Sequence, residues 1–260
     1  MNVDGIFLKG RSHHICEDYM LYGTEPFPYI IISDGCSSSK NTDVGARILA
    51  HTTRRNIKTA FDYSYKEFGM LVAALSKASI QSLGLSTTAM DATLIMVAYI
   101  NGMYNVRLYG DGSIFYDSRY LTLDYTGNAP YYLSYWVDRE RANAFLDKFG
   151  SYVTLIENSE GFTQKNTIDI DETFFVFSKF LADVKSDRPN HPLLIASDGI
   201  EQISTLNKQT MDAKTMAKAF TNFKTTKGEF VKRRVLREMK NQEKQGYYSM
   251  DDLSVGCIID

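Results

Sequence analysis

Five short acidic motifs stand out because each places a carboxylate where a strand would end. They are Cys16-Glu17-Asp18-Tyr19, Ser33-Asp34-Gly35, Gly110-Asp111-Gly112, Ser197-Asp198-Gly199 and Met250-Asp251-Asp252-Leu253. Any one Asp-Gly after a strand is most simply a turn, since Asp bonds nearby backbone and Gly tolerates positive φ. Two Ile-containing strands that both end in Ser-Asp-Gly ask for more. Carboxylates gathered at a sheet edge repel one another unless a cation lies among them. Hard cations such as Mg²⁺ and Mn²⁺ take carboxylate, carbonyl and water oxygens, the donors on offer here. His and Cys are scarce, at 4 and 3, so zinc fits less well. Two metals about 3.5–4 Å apart can share one aspartate and lower the pKa of water from 15.7 toward 7. The reaction class this chemistry supports is phosphate-ester hydrolysis.

Those carboxylates need strands to carry them. Tyr29-Ile30-Ile31-Ile32 is a continuous apolar run that suits a strand buried on both faces. Asn41 or Thr42 can cap a helix with Val44, Ile48 and Leu49 on its apolar side. A second helix carries Phe68, Leu71, Val72, Leu75 and Ser79 on one face and stops at Gly84. Residues 92–100 and 103–109 are apolar runs around Asn101-Gly102, the strongest short hairpin signal. Gly110-Asp111-Gly112 reads as the next hairpin. The pattern is an antiparallel meander, which argues against a βαβ dinucleotide sheet. An aromatic helical insertion over 131–149, with the single Trp136, reads as either a flap near the site or a packed helix, its place between motifs favouring the flap. Strands follow around 151–157, 173–177 and 191–196, helices over 212–223 and 228–244, and a last strand over 253–259.

The composition bounds these readings. Of 260 residues 44% are apolar and only 5 are Pro, enough apolar material for a full core. Lys plus Arg is 29 against 31 acids, a net charge of −2 that gives no reason to expect nucleic acid or an anionic membrane as partner. Cys16, Cys36 and Cys257 form no CxxC and no disulfide framework, and the first residues lack a leader's pattern, so a cytoplasmic protein is expected. The longest apolar run, 93–100, is far too short to span a bilayer. The basic stretch 214–244 reads as a solvated helix face, with Phe230, Val231, Val235 and Met239 as its core side. Cys36 lacks the arginine six residues on that a cysteine phosphatase needs; Thr42 stands there. GxSxG, HExxH, Walker-type and GxGxxG patterns are absent from the sequence.

The order Glu17-Asp18, Ser33-Asp34-Gly35, Thr93, Gly110-Asp111, Ser197-Asp198-Gly199, Asp251-Asp252 resembles the metal-dependent Ser/Thr protein phosphatases of type 2C, in their bacterial, stand-alone form. The resemblance implies an α+β fold, a four-layer α-β-β-α sandwich with two central, mainly antiparallel sheets. It implies one domain over 1–260, with a variable insertion or flap around 119–190. Two Mn²⁺ or Mg²⁺ ions per chain are expected, with a weak third. By position Asp34, Gly35 (through its carbonyl), Asp198 and Asp251 are the implied ligands, and Asp111 joins Asp198 at the third ion. Asp34, Asp198 and Asp251 then hold the activated water, with Glu17 and Asp18 beside it. The implied activity is hydrolysis of phosphoserine and phosphothreonine in a phosphorylated protein substrate, paired with a Ser/Thr kinase, by a monomer.

The sequence departs from that family at Cys36, at Ser37-Ser38-Ser39 where glycines are usual, at Asp91, at Gly112 and at Asp252. His13 stands where the family has its phosphate-binding arginine, so Arg11 and His13 are the candidate phosphate-binding cations. Two other functions stay open on these residues: a non-catalytic regulatory or binding module of the same fold, and a two-metal hydrolase of small phosphoesters.

Overall fold

The structure, a computed structural model, describes residues 1–178 and 192–260. The first residue of the strand expected over 191–196, and the end of the variable stretch, 179–190, lie outside the described residues. The chain begins with strands β1 (Asn2–Leu8), β2 (Tyr19–Gly23) and β3 (Tyr29–Ser33), then helices α1 (Thr42–Arg55) and α2 (Tyr65–Ser82). Strands β4 (Leu94–Ile100), β5 (Met103–Tyr109), β6 (Ser113–Tyr116) and β7 (Arg119–Asp124) follow, then α3 (Leu133–Trp136) and α4 (Arg139–Phe149). Next come β8 (Tyr152–Ser159), β9 (Phe162–Asp169), β10 (Phe174–Ser178), β11 (Leu193–Ala196) and β12 (Ile203–Thr205). The chain closes with α5 (Ala213–Phe220), α6 (Phe230–Glu243), β13 (Tyr247–Ser249) and β14 (Leu253–Ile259).

The strands form a seven-stranded sheet, β1-β14-β11-β6-β7-β8-β9, a five-stranded sheet, β10-β5-β4-β3-β2, and the small pair β12-β13. Every described pairing is antiparallel. Strand period sorts the apolar runs into three cores. Ile30 and Ile32 of β3, Ile95 and Val97 of β4, Leu193 and Ile195 of β11 and Ile258 of β14 meet between the sheets. Their neighbours Tyr29, Ile31, Leu94 and Met96 point the other way, onto α1 and α2. Leu194, Ala196, Val255 and Cys257 point outward from the second sheet onto α5 and α6. A strand covered on both faces has no polar face, which is why these runs are continuous rather than alternating. The result is the expected α-β-β-α sandwich. Gly256 marks how closely the sheets approach: a Cβ there would lie 2.6 Å from Ile30 Cγ2.

Three local expectations change. Helix α2 starts with a capping box, Ser64 and Glu67 each bonding the other's backbone N–H at 3.2 and 2.9 Å. Its buried face, however, is Tyr65, Phe68, Gly69, Val72, Ala73, Ser76 and Ile80; Leu75 is 42% exposed. The small residues Gly69, Ala73 and Ser76 carry the contact because bulky partners such as Trp136 and Tyr109 already fill the space beside Gly69. Gly110-Asp111-Gly112 is not a hairpin: it carries the chain from β5 in one sheet to β6 in the other. Both glycines have positive φ, 93° and 136°, as this sharp crossing requires. The hairpin turn is Asp117-Ser118, both left-handed, between β6 and β7. Strand β9 was not anticipated. It is an edge strand, exposed over most of its length, so its residues, Phe-Thr-Gln-Lys-Asn-Thr-Ile-Asp, carry no apolar alternation to read.

Candidate metal centre

The acidic motifs sit where β3 and β11 end, facing each other from opposite sheets. After β3 the backbone is locked to the start of β4. Thr93 N–H donates to the Asp34 carbonyl at 2.8 Å, Ser33 Oγ to the Thr93 carbonyl at 2.7 Å and Cys36 N–H to the Asp91 carbonyl at 2.8 Å. Gly35 is needed for space: a Cβ would fall 2.9 Å from Thr42 Cβ, against the start of α1. After β11, Ser197 Oγ donates to Asp18 Oδ2 and accepts Ser254 N–H, both at 2.9 Å. Gly199 is held tighter still, since a Cβ would come 1.9 Å from the Asp252 carbonyl. Neither glycine has positive φ, so close approach, not turn geometry, selects it.

Asp251 and Asp252 diverge in role. Asp252 is buried and accepts Gly10 N–H and Glu17 N–H, each at 2.6 Å, which anchors the loop carrying His13, Glu17 and Asp18. Asp251 faces Gln202, whose Nε2 donates to Asp251 Oδ2 at 2.7 Å and to Asp198 Oδ2 at 3.0 Å. His13 lies among carboxylates: Nε2 is 3.0 Å from Asp251 Oδ1, while Nδ1 is 3.2 Å from Asp252 Oδ2 and 3.7 Å from Glu17 Oε2. Glu17 also accepts Thr42 Oγ1–H at 2.5 Å. The Arg11 guanidinium stacks 4.1 Å from the centre of the Tyr248 ring.

The carboxyls of Asp18, Asp34, Asp111 and Asp198 perturb one another. Asp34 is pushed well above the usual range by burial, then by the charges of Asp18, Asp198 and Asp111. Asp111 rises to about 8, from burial and then Asp198. Asp18 rises to about 7 through burial, opposed by the neighbouring Ser254 hydroxyl and Asp34 carboxyl and by the hydrogen bond from Ser197. Asp198 is raised by burial and then by Asp251. Asp34, Asp111 and Asp198 keep some surface open to solvent, yet protein packs densely enough around them for desolvation to lead.

Among the described residues no three His, Cys, Asp or Glu side chains stand where they could together hold a metal ion. The donors nonetheless fit hard cations. They are carboxylates that repel as they stand, and Asp18 Oδ1 is buried with no hydrogen-bond partner. Without a counter-charge, such a group relieves itself by binding protons. Asp18, Asp34, Asp111 and Asp198 are thus brought together, with Asp251 joined to Asp198 through Gln202, while His13 links Asp251 to Asp252 and Glu17. Among the described residues the Arg11 side chain makes no hydrogen bond or ion pair with this group; it lies against Tyr248 instead. Gln202, Ser197 and Thr42 were not anticipated. Their roles depend on partners far along the chain, and the one local signal is Gln202 four residues after Asp198.

The sequence profile described as protein phosphatase 2C matches residues 10–130. Solved structures match the whole length. The serine/threonine phosphatase Stp1 of Staphylococcus aureus is 10% identical, with 99% of this chain and 94% of that chain covered and a TM-score of 0.55. The serine/threonine phosphatase PstP/Ppp of Mycobacterium tuberculosis is 14% identical, covering 99% and 97%, with a TM-score of 0.53. PppA, a key regulatory component of T6SS in Pseudomonas aeruginosa, is 14% identical, covering 99% and 96%, with a TM-score of 0.52. This chain has the type 2C phosphatase fold. No curated protein matches the sequence significantly.

Beside the acidic group, this type 2C fold carries the aromatic insertion as a packed unit. Leu133 is buried against α2, and Tyr131, Tyr135 and Phe145 stack with centroids 5.0–5.2 Å apart. Arg141 of α4 holds the buried Asp91, Nη2 lying 2.9 and 2.8 Å from its two oxygens. Ser134 and Ser39 donate to the same carboxylate at 2.6 and 2.7 Å. One carboxylate therefore ties α3 and α4 to the Cys36–Ser39 loop that follows Asp34-Gly35. Asp91, one of the departures noted in the sequence, thus has a structural role in this chain.

Proposed function

We propose that the protein is an Mn²⁺- or Mg²⁺-dependent phosphoprotein phosphatase acting on phosphoserine and phosphothreonine monoesters. The observation that supports this best is the convergence of Asp18, Asp34, Asp111 and Asp198 from both sheets, around a buried and unpartnered Asp18 oxygen. Asp34, the Gly35 carbonyl, Asp198 and Asp251 would hold two cations, with Asp111 at a weaker third. Bound there, such ions would supply hydroxide at neutral pH and would neutralise charge on a phosphoryl group. The chain's own residues do the rest. Gln202 orients Asp198 and Asp251 together, Ser197 fixes Asp18, and Asp252 fixes the loop that presents His13 and Glu17. Released from Asp251 and Asp252, an N–H of the His13 ring can donate to a phosphate oxygen, and Arg11 is a cation on the same loop.

A phosphothreonine peptide should release phosphate when Mn²⁺ is added and stop when it is chelated. Asp34→Asn and Asp198→Ala should abolish release while keeping the native circular dichroism spectrum; full activity in either defeats the ligand assignment.

The Gln202 bridge favours a second reading, a non-catalytic module, because an amide already joins the Asp198 and Asp251 carboxylates. Calorimetric titration with millimolar Mn²⁺ separates the two: absence of binding selects the module. Turnover of small phosphoesters but of no phosphopeptide selects a small-molecule hydrolase. As partners we propose a phosphorylated protein and its Ser/Thr kinase, for a cytoplasmic monomer. No helix among the described residues is long and apolar enough to cross a membrane.

A further inference from the structure

The basic residues of the stretch 214–244 are not spread evenly over a solvated face. Lys224, Arg233, Arg234 and Arg237 line one cleft of about 360 Å³ whose floor is the aromatic pair Phe223 and Phe230. The rings meet edge to face at 4.9 Å, and Phe230 is buried. The lining includes no acidic side chain. Two of the four cations are tied down: Arg233 donates to the Lys227 carbonyl at 2.7 Å, and Arg234 to the Ala219 carbonyl at 2.6 Å and Glu238 at 3.2 Å. Lys224 and Arg237 are exposed, and neither makes an ion pair or side-chain hydrogen bond among the described residues. In a chain of net charge −2, four cations walled into one cleft form a local field that a counter-charge would relieve.

The cleft lies away from the carboxylates. The loop before α6 touches the start of β1, Asn2 Nδ2 donating to Thr226 Oγ1 at 3.3 Å. The other end of β1 leads to Gly10, which donates to Asp252 at the acidic group. Seven residues of strand separate the two ends, about 20 Å at the usual rise.

We propose that this cleft docks an acidic peptide segment of a protein partner. Carboxylates of the segment pair with Lys224 and Arg237, the cations without internal partners, while an apolar side chain between them rests on the partly exposed Phe223. A nucleic-acid strand fits less well. It needs a cationic track along its backbone, whereas this patch is a single pocket flanked by Glu229 and Glu238, each already paired with a basic neighbour.

The test is fluorescence anisotropy on the whole protein, without added metal, using a labelled peptide of alternating Glu and Leu. Controls are the Lys/Leu peptide of the same length and a labelled single-stranded oligonucleotide. The acidic peptide should bind, weaken at least tenfold with K224E/R237E, and weaken as salt rises from 50 to 200 mM. K224Q/R237Q should give an intermediate loss, and both variants should melt with the wild-type protein, since neither residue holds a structural bond. Equal affinity in wild type and K224E/R237E, no binding at 50 mM salt, or tighter binding of the oligonucleotide would overturn the proposal. Because metal and turnover play no part in the measurement, it stands or falls apart from the phosphatase reading.

Discussion

At the scale of single residues, the acidic side chains were legible because strands that end in Ser-Asp-Gly are visible in any sequence. Their supporting partners were not. Ser197 matters only because Asp18, 179 positions away in sequence, lies against its hydroxyl. Gln202 is the sharpest instance. Groups that orient metal ligands typically change metal affinity by about 10–100-fold when removed. Gln202→Leu should therefore weaken Mn²⁺ binding by roughly that factor, read by calorimetry, with little change in melting temperature because the site is partly open to solvent. The Ser-Asp-Gly glycines invite a different test. Gly199→Ala would force a methyl to 1.9 Å from the Asp252 carbonyl, and backbone cannot yield as a flexible side chain can. Overpacking of this kind costs about 1–3 kcal/mol. A lowered urea midpoint would show it, and a midpoint matching wild type would show that β11 and β14 are less tightly joined than they stand here.

At the scale of elements, continuous apolar runs located about half of the strands and the 3.6 period most of the helices, and the errors have physical causes. Asp111 was placed in a hairpin because a Gly-Asp-Gly turn looks alike whether it returns to its own sheet or crosses to another. Which it does is decided by long-range burial of β6 against β11, not by the turn residues. Strand β9 was invisible because an exposed edge selects no apolar residues. The insertion's attachment was equally hidden, since Asp91 and Arg141 are 50 positions apart. Arg141→Ala leaves the buried Asp91 carboxylate with its two serine donors but no counter-charge. Losing a charged partner from a buried group costs about 1–3 kcal/mol, and the partial exposure of Arg141 puts this case toward the lower end. Faster amide exchange in both 131–149 and 36–39 is the expected signature. Faster exchange in α4 alone would mean that Asp91 does not couple the two segments.

At the scale of the whole molecule, three cores in four layers follow from strands whose two faces are both apolar; Tyr29-Ile30-Ile31-Ile32 announced one such strand, while the four layers came only with the family resemblance. What no run of residues announces is the free-energy cost of bringing several carboxylates to the mouth of such a sandwich. Four carboxyls titrate above their unfolded values, Asp18 near 7 and Asp111 near 8, with Asp34 and Asp198 raised as well. In the metal-free protein a raised carboxyl binds more protons folded than unfolded, so stability falls as pH rises between the two values. That contribution is intact below the ordinary aspartate value and gone once pH passes the folded one, which places the loss between pH 4 and 8. Chelator-treated protein should accordingly melt lower at pH 8.5 than at pH 6, by a few degrees for each ~1 kcal/mol lost in a chain of this size. Mn²⁺ competes with those protons for the same oxygens, so its stabilising effect should run the opposite way, larger at pH 8.5 than at pH 6. Asp34→Asn removes the most crowded carboxylate, and it should flatten the metal-free pH dependence even as it abolishes the Mn²⁺ response. A metal-free melting temperature that stays level from pH 6 to 8.5 in the wild-type protein would mean that these side chains do not crowd one another in solution.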